Sequence, residues 1–335
     1  MELNTYPLVC TRGVVLYPNQ EIVIDVGRDT SVHAVENAQD NYDKKICLFS
    51  QKELEQENPG KEDIYSVGTL CEVRHIRRFD NFLRVKFRGI KRVKLNNWIN
   101  GSLSDLAEVE ILESEKQDAV EEEALIRMIA DELDRMQGQD RFVTKEIVME
   151  ISKGMGGEFL SDKAVQGLPL DIERKQQYLE TLGVNDRLMM LLQDMAKEKK
   201  MSGLCWDASH HRNWSSDPYV EEFEIKNDVL RLTGSWVYCD ENKWMSSPVP
   251  EYKPSESLKT ILNALAHYET GKFKDGANWF PELFKYDTKE NQFEIAYMSK
   301  VKNIKLFKNG RVDIKFRSVA FVQEFVGQYL RRNPA

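Results

Sequence analysis

Apolar residues recur along the chain with two different periods, and the change between them divides it. Up to about residue 113 the period is two. In 21–26, Ile22, Ile24 and Val26 fall on one face. The runs 45–50 (KICLFS) and 68–76 (GTLCEVRHI) are apolar or β-branched and bounded by turn residues, and 82–87, 90–95 and 107–112 add further strands. Asp80-Asn81, two residues that tolerate positive φ, predicts a hairpin between 68–76 and 82–87. One helix interrupts the strands: Asp29, Thr30 and Ser31 are N-cap candidates, and Val32, Val35 and Ala38 follow at helical spacing. The polar stretch 52–63 contains Pro59-Gly60 and predicts a surface loop. Together these elements predict a twisted, barrel-like sheet with one helix.

From Ser114 the period becomes 3.6. Leu125, Met128, Ile129 and Leu133 form one stripe of a helix whose other faces are acidic. A second helix is expected over 142–151, stopped by the glycines of GMGG, and a third over 159–165. Asp171 caps a helix running to Leu182, and Asn185 a last one carrying Leu188, Leu191, Leu192 and Met195. That helix is expected to end in the basic run KEKK, 197–200, which suits a helix C-terminus.

After Met201 the stretch MSGLCWDASHHRNWSSDP is polar and aperiodic, and resembles a fresh N-terminus, so a junction between two coding sequences is expected there. Strands follow at 222–225, 229–233 and 235–238, then a helix at 259–268 with Leu258, Ile261, Leu262 and Leu265 inward. The strand 292–298 and the hairpin 302–317, turning at Asn309-Gly310, are the clearest strands in the sequence. A closing helix, 319–330, points Val322, Phe325, Val326 and Tyr329 inward.

Composition supports the division. Residues 1–200 hold 28 Lys and Arg against 37 Asp and Glu, residues 201–335 hold 19 against 18, and five of the six tryptophans follow residue 200. The net charge of −8 argues against non-specific DNA binding by the whole chain. A mean hydropathy of −0.53 and the lack of a long apolar run predict a soluble chain with no membrane partner. The five cysteines are scattered, with no C-x-x-C pair, and fit a reducing cytoplasm.

The pieces YPLVCTRGVVLYP (6–18), IDVGR (24–28), KKICLFSQK (44–52), DIYSVGTLCEVRHIRR (63–78), VKFRGIKRVKL (85–95) and LPLDIERKQQYLETLGVNDRLMMLL (168–192) occur in order over residues 1–200. In these the chain resembles the N-terminal domain of Lon-type ATP-dependent proteases, bacterial ones in particular. The resemblance implies an α+β chain with a PUA-like β-barrel domain over 1–113 and a helical bundle over 114–200. It leaves 201–335 as a separate small α+β domain, unrelated to the first and a candidate fused partner. It also implies recognition of unfolded or damaged protein segments, and contact with Lon protease subunits. The final helix of the family continues into a long coiled segment leading to an ATPase.

The departures are equally plain. No G-x-x-x-x-G-K-[ST] loop occurs, so nothing is expected to cradle ATP phosphates, and the catalytic serine and lysine of the family have no counterpart. Ser299 to Lys302 is formally S-x-x-K but lies in hairpin sequence. FDNF at 79–82 replaces the usual glycine-containing turn, and Arg174 stands where a capping-box Glu would help.

The expectation is therefore a non-enzymatic binding protein without cofactor or metal, with a second domain acting as regulator, inhibitor or adaptor of Lon. Its candidate binding residues are Leu16, Tyr17 and Pro18 at a strand exit, and Phe79 and Phe82 flanking a turn, as exposed apolar patches. The alternative is nucleic-acid binding by hairpin 300–317, which carries seven basic residues and one acidic, with Arg311, Lys315 and Arg317 on its outer face beside Asp313. That basic face is also a candidate to dock on the acidic first half. Cys205, Asp207, His210, His211 and Cys239 lack the tight paired spacing of a zinc site.

Overall fold

The period-two half folds into a sheet that closes on itself. The computed structural model describes residues 4–136, 149–151, 153–211, 220–240 and 250–331. Its strands here are β1 (Asn4–Thr11), β2 (Glu21–Val26), β3 (Lys45–Ser50), β4 (Val67–Arg78), β5 (Leu83–Ile99) and β6 (Leu106–Leu112), with helix α1 (Asp29–Asn41) between β2 and β3. The order is β2-β5-β4-β3-β1-β6, and β5 pairs also with β6, closing a barrel to which β2 adds an edge. β1 and β3 are parallel, which requires a crossover, and α1 lies in it.

The strand β3 is buried on both faces, which explains its unbroken apolar run. Ile46 and Leu48 pack with Ala34, Val35 and Ala38 of α1, while Cys47 and Phe49 pack with Val93, Ala107 and Val109. β5 merges two expected strands into one. Gly89 does not break it but admits the neighbouring backbone: a Cβ there would lie 2.2 Å from the Tyr17 carbonyl oxygen. The first turn of α1 is not capped by a side chain, and the cap position is Arg28 rather than one of the three residues expected.

The helices α2 (Ala119–Met136), α3 (Gly157–Gly167), α4 (Ile172–Glu180) and α5 (Val184–Ser209) follow. In α2, Leu125, Ile129 and Leu133 are buried as the stripe requires, but Met128 is 57% exposed. Of the helix expected over 142–151, residues 149–151 are helical and 142–148 lie outside the described residues. Asp171 caps α4, accepting the Arg174 N–H at 2.6 Å.

The barrel, α2 through Arg135, α3, α4 and α5 through Gln193 form one compact unit; α5 from Asp194 onward belongs to a second. Inside the first unit, Arg92 of β5 forks onto Asp162 of α3 (Nη1–Oδ2 3.0 Å, Nη2–Oδ1 2.5 Å) and donates from Nε to the Leu179 carbonyl. Arg187 of α5 lies 3.9 Å from the same carboxylate and donates to the Ser161 and Ser114 hydroxyls and the Thr181 carbonyl. Burial, and Arg92 beside it, lower Arg187 to about 10.

The chain does not restart at Met201. α5 runs through it without a break, and MSGLCWDAS is helix, with Met201 and Cys205 one turn apart in the core of the second unit. That unit holds the paired β7 (His210–His211) and β8 (Val220–Glu221), then β9 (Phe223–Lys226), β10 (Val229–Leu232), β11 (Val237–Asp240) and β12 (Glu251–Pro254). Helix α6 (Glu256–Thr270) follows, capped by Ser255 and stopped by Gly271, then the single turns α7 (Gly276–Trp279) and α8 (Pro281–Phe284). β13 (Gln292–Glu294), β14 (Val301–Leu306) and β15 (Val312–Phe316) complete an antiparallel sheet ordered β13-β14-β15-β10-β9. The strand expected over 292–298 stops at Glu294, after which Ile295 and Met298 turn into the core. Helix α9 (Val319–Phe325) continues as a wider turn to Leu330, with Val322, Phe325, Val326 and Tyr329 buried as expected.

Candidate functional site

The β4–β5 hairpin carries the most exposed aromatic feature among the candidate residues. Its loop is Asp80-Asn81, and Phe79 N–H donates to the Phe82 carbonyl at 2.9 Å. Neither loop residue takes a positive φ, so this is not the mirror-image turn that the residue types suggested. The flanking rings stack, with centroids 4.7 Å apart and planes 13° apart. Arg77 and Arg84 lie over them, their guanidinium carbons 5.2 Å and 5.4 Å from the Phe79 centroid. Arg84 also forks onto Asp25 of β2, at 2.7 Å in both contacts, and this hydrogen bond holds the Asp25 carboxyl below its usual range. Both phenylalanines are half-buried, less open than the exposed patch expected.

Two exposed apolar residues lie elsewhere on the adjoining strands. Val23 of β2 is 55% exposed and Ile76 of β4 37%. Sequence reading missed both, although Val23 carried a signal: it is the apolar residue out of phase with Ile22, Ile24 and Val26. Ile76 carried none, because it shares the inward register of Val85, on the face opposite Val23, and lies beyond Glu72, where the pairing of β3 with β4 ends.

Leu16, Tyr17 and Pro18 are buried, contrary to the expectation that they form an exposed patch. The Tyr17 hydroxyl donates to the Lys175 carbonyl at 2.7 Å, burial pushes its pKa well above the usual value, and Thr69 Oγ1 donates to the Leu16 carbonyl. Together with the close approach of Gly89, these contacts make the segment a seam between barrel and helices. The buried seam offers no surface to a ligand.

The basic hairpin is also less available than its sequence suggests. Val312, Ile314 and Phe316 are buried as expected, but the outer charges are engaged. Arg311 lies 3.2 Å from Asp313 and stacks on Phe307, and Lys315 is 3.7 Å from Asp228. Arg317 donates to the carbonyls of Met298 and Ile295. Asp313 is shared with Arg231 of β10, which also reaches Glu224. Arg311 and Lys315 are thus paired with nearby acids and Arg317 is tied to carbonyls, so the three outer cations are already engaged within the fold.

In the S-x-x-K stretch, the Ser299 N–H donates to Glu269, and Lys300 lies over the Tyr268 ring and donates to its carbonyl. Cys205 is buried in the helix core and Cys239 lies on β11, while His210 stacks on Trp206. Among the described residues no group of three or more His, Cys, Asp or Glu side chains is disposed to hold a metal ion. No described helix is long and apolar enough to cross a membrane.

Residues 5–197 match the family described as the ATP-dependent protease La (LON) substrate-binding domain. The chain is 24% identical to the Lon protease of Bacillus thuringiensis over 314 residues, covering 89% of this chain and 39% of that one. It is 33% identical to the Lon protease of Syntrophomonas wolfei over 256 residues, 75% of this chain and 31% of that one. The chain thus spans a minor part, between 24% and 39%, of the curated relatives it matches. Among solved structures it resembles the N-terminal domain of a Mycobacterium avium complex Lon protease, at 18% identity and a TM-score of 0.49, covering 58% of this chain and 98% of that one.

Proposed function

The chain belongs to the Lon substrate-binding domain family, and from that premise we propose that its first compact unit captures exposed apolar segments of unfolded or damaged proteins without chemistry of its own. The observation that carries this reading is the stacked Phe79–Phe82 pair at the hairpin tip, overlaid by two arginines. Aromatic rings held at a hairpin tip bury area in a ligand while losing little side-chain entropy. Arg77 adds tolerance for acidic residues in the client, whereas Arg84 is held by Asp25. Binding of this kind is reversible and needs no nucleotide. The second unit then acts as a regulator, inhibitor or adaptor of the Lon machinery, and Lon subunits are the partners that relatives suggest for it.

The test is affinity for a denatured protein. With a dye-labelled, reduced and carboxymethylated client, the double variant F79S/F82S is expected to bind about tenfold more weakly than the parent chain, with native client bound by neither. Equal affinity of variant and parent would remove the hairpin tip from the mechanism.

A further inference from the structure

Two stretches that carried the resemblance, 6–18 and 24–28, each contain an arginine that the fold brings to one place. Arg12 follows β1 and Arg28 follows β2. Arg12 Nη2 donates to the Gln56 carbonyl at 3.3 Å, and Arg28 Nη2 donates to the same oxygen at 3.4 Å. Arg28 also donates to the Cys10 carbonyl and to Oε1 of the wholly buried Gln51. Among the described residues neither guanidinium forms an ion pair. Asp25 nearby is committed to Arg84, Asp105 accepts from the Gly101 N–H, and Glu57 acts on Arg28 only through space. Two cations are therefore held on one neutral oxygen. Burial, and then the charge of Arg12, lower the pKa of Arg28 from its ordinary value. An anion placed between them would relieve that repulsion.

A cavity of about 300 Å³ opens beside them, with Val9, Ile24 and Val26 as aliphatic wall and Arg12 and Arg28 as polar wall. Gly27 also lines it, and lies against the aromatic tip: a Cβ built there would come 3.8 Å from Phe82 Cβ. Gly27 therefore links the cavity wall to the loop that carries the stacked pair. A monoanion bearing an apolar group fits this wall better than inorganic phosphate does, because Asp25 lines the cavity and Glu57 the adjoining one.

We propose that Arg12 and Arg28 receive the α-carboxylate of a client chain whose last side chain is aliphatic. The carboxylate forks between the guanidiniums, the last side chain fills the space against Val9, Ile24 and Val26, and the preceding residues pass Gly27 toward Phe82. This rests on the reading that the first unit binds clients, and adds which end of which clients it holds.

The experiment uses the full 335-residue chain and fluorescence anisotropy. The probes are a dye-labelled peptide of Gly, Ser and Ala ending in Leu-Val, its C-terminal amide, and inorganic phosphate as competitor. The free acid is expected to bind at least about tenfold more tightly than the amide. R12Q is chosen because Arg12 is exposed, so the fold survives its loss; it is expected to weaken the acid and leave the amide unchanged. Equal binding of acid and amide, an acid–amide gap that survives R12Q, or phosphate binding without peptide binding would each overturn the proposal. Failure here is separable from failure of the reading beneath it. If acid and amide bind equally while F79S/F82S weakens capture of denatured protein, the tip stands and the cradle falls. If the parent chain shows the acid–amide gap and R12Q abolishes it while F79S/F82S changes nothing, the cradle stands and the tip falls.

Discussion

Arg92, Asp162 and Arg187 are three charges withdrawn from water in the first unit, with side chains 1%, 3% and 0% exposed. Their mutual attraction offsets the desolvation only while all are present. D162A leaves two buried guanidiniums uncompensated and is expected to cost about 3–5 kcal/mol, read as a lower urea midpoint at unchanged slope. A loss under about 1 kcal/mol would mean that water reaches the site. The buried thiols give a second check at this scale. Burial raises the pKa of Cys47, Cys71 and Cys205 above the ordinary value, and only a thiolate is nucleophilic, so iodoacetamide is expected to leave all three unmodified in the native chain. The residue scale is where sequence is least informative. Arg92 sits in RGIKRVK and looks like one more basic residue on an exposed strand, because its partner is 70 positions away. Phe79 and Phe82 stand out in the sequence because a turn does not need them, and the fold leaves both half-buried. Leu16 to Pro18 looked equally spare, and what buries them is a glycine at 89 and the α4 carbonyl at Lys175.

At the scale of elements, periodicity located most strands and helices, since burial on one face is what each period encodes. Its failures have local causes. The 302–317 hairpin turns where Asn309-Gly310 predicted, but only Gly310 is left-handed, at φ 88°, and the Gly310 N–H bonds to the Phe307 carbonyl at 3.0 Å. This is the three-residue loop with a bulged glycine, not the two-residue mirror turn. G310A is accordingly expected to cost about 1–3 kcal/mol, whereas a neutral result in thermal melting would mean that the turn can be rebuilt. The larger surprise is α5. Methionine, glycine and tryptophan after a basic run resemble a chain start, yet Met201 and Cys205 at i and i+4 already traced a buried helical stripe. Gly203 lies inside that helix with open space where a Cβ would stand. G203A should therefore stabilise the chain by about 0.5–1 kcal/mol, and no gain in melting temperature would argue against a helix through this point.

At the scale of the molecule, the chain joins a closed barrel and its helices, up to Gln193, to a second unit with its own antiparallel sheet and core. The family could be read from six short stretches, because a barrel with an appended helical unit constrains many positions at once. The second unit offered no such set, and its sheet and buried aromatic cluster show how it is stable without indicating what it serves. Capture of unfolded chains at the β4–β5 tip of the first unit can be read by hydrogen–deuterium exchange of the full chain, alone and saturated with a reduced, carboxymethylated client. Slowed exchange at 76–84 and along β2 is the predicted result. Saturation without protection there, or with protection confined to 301–316, would contradict it.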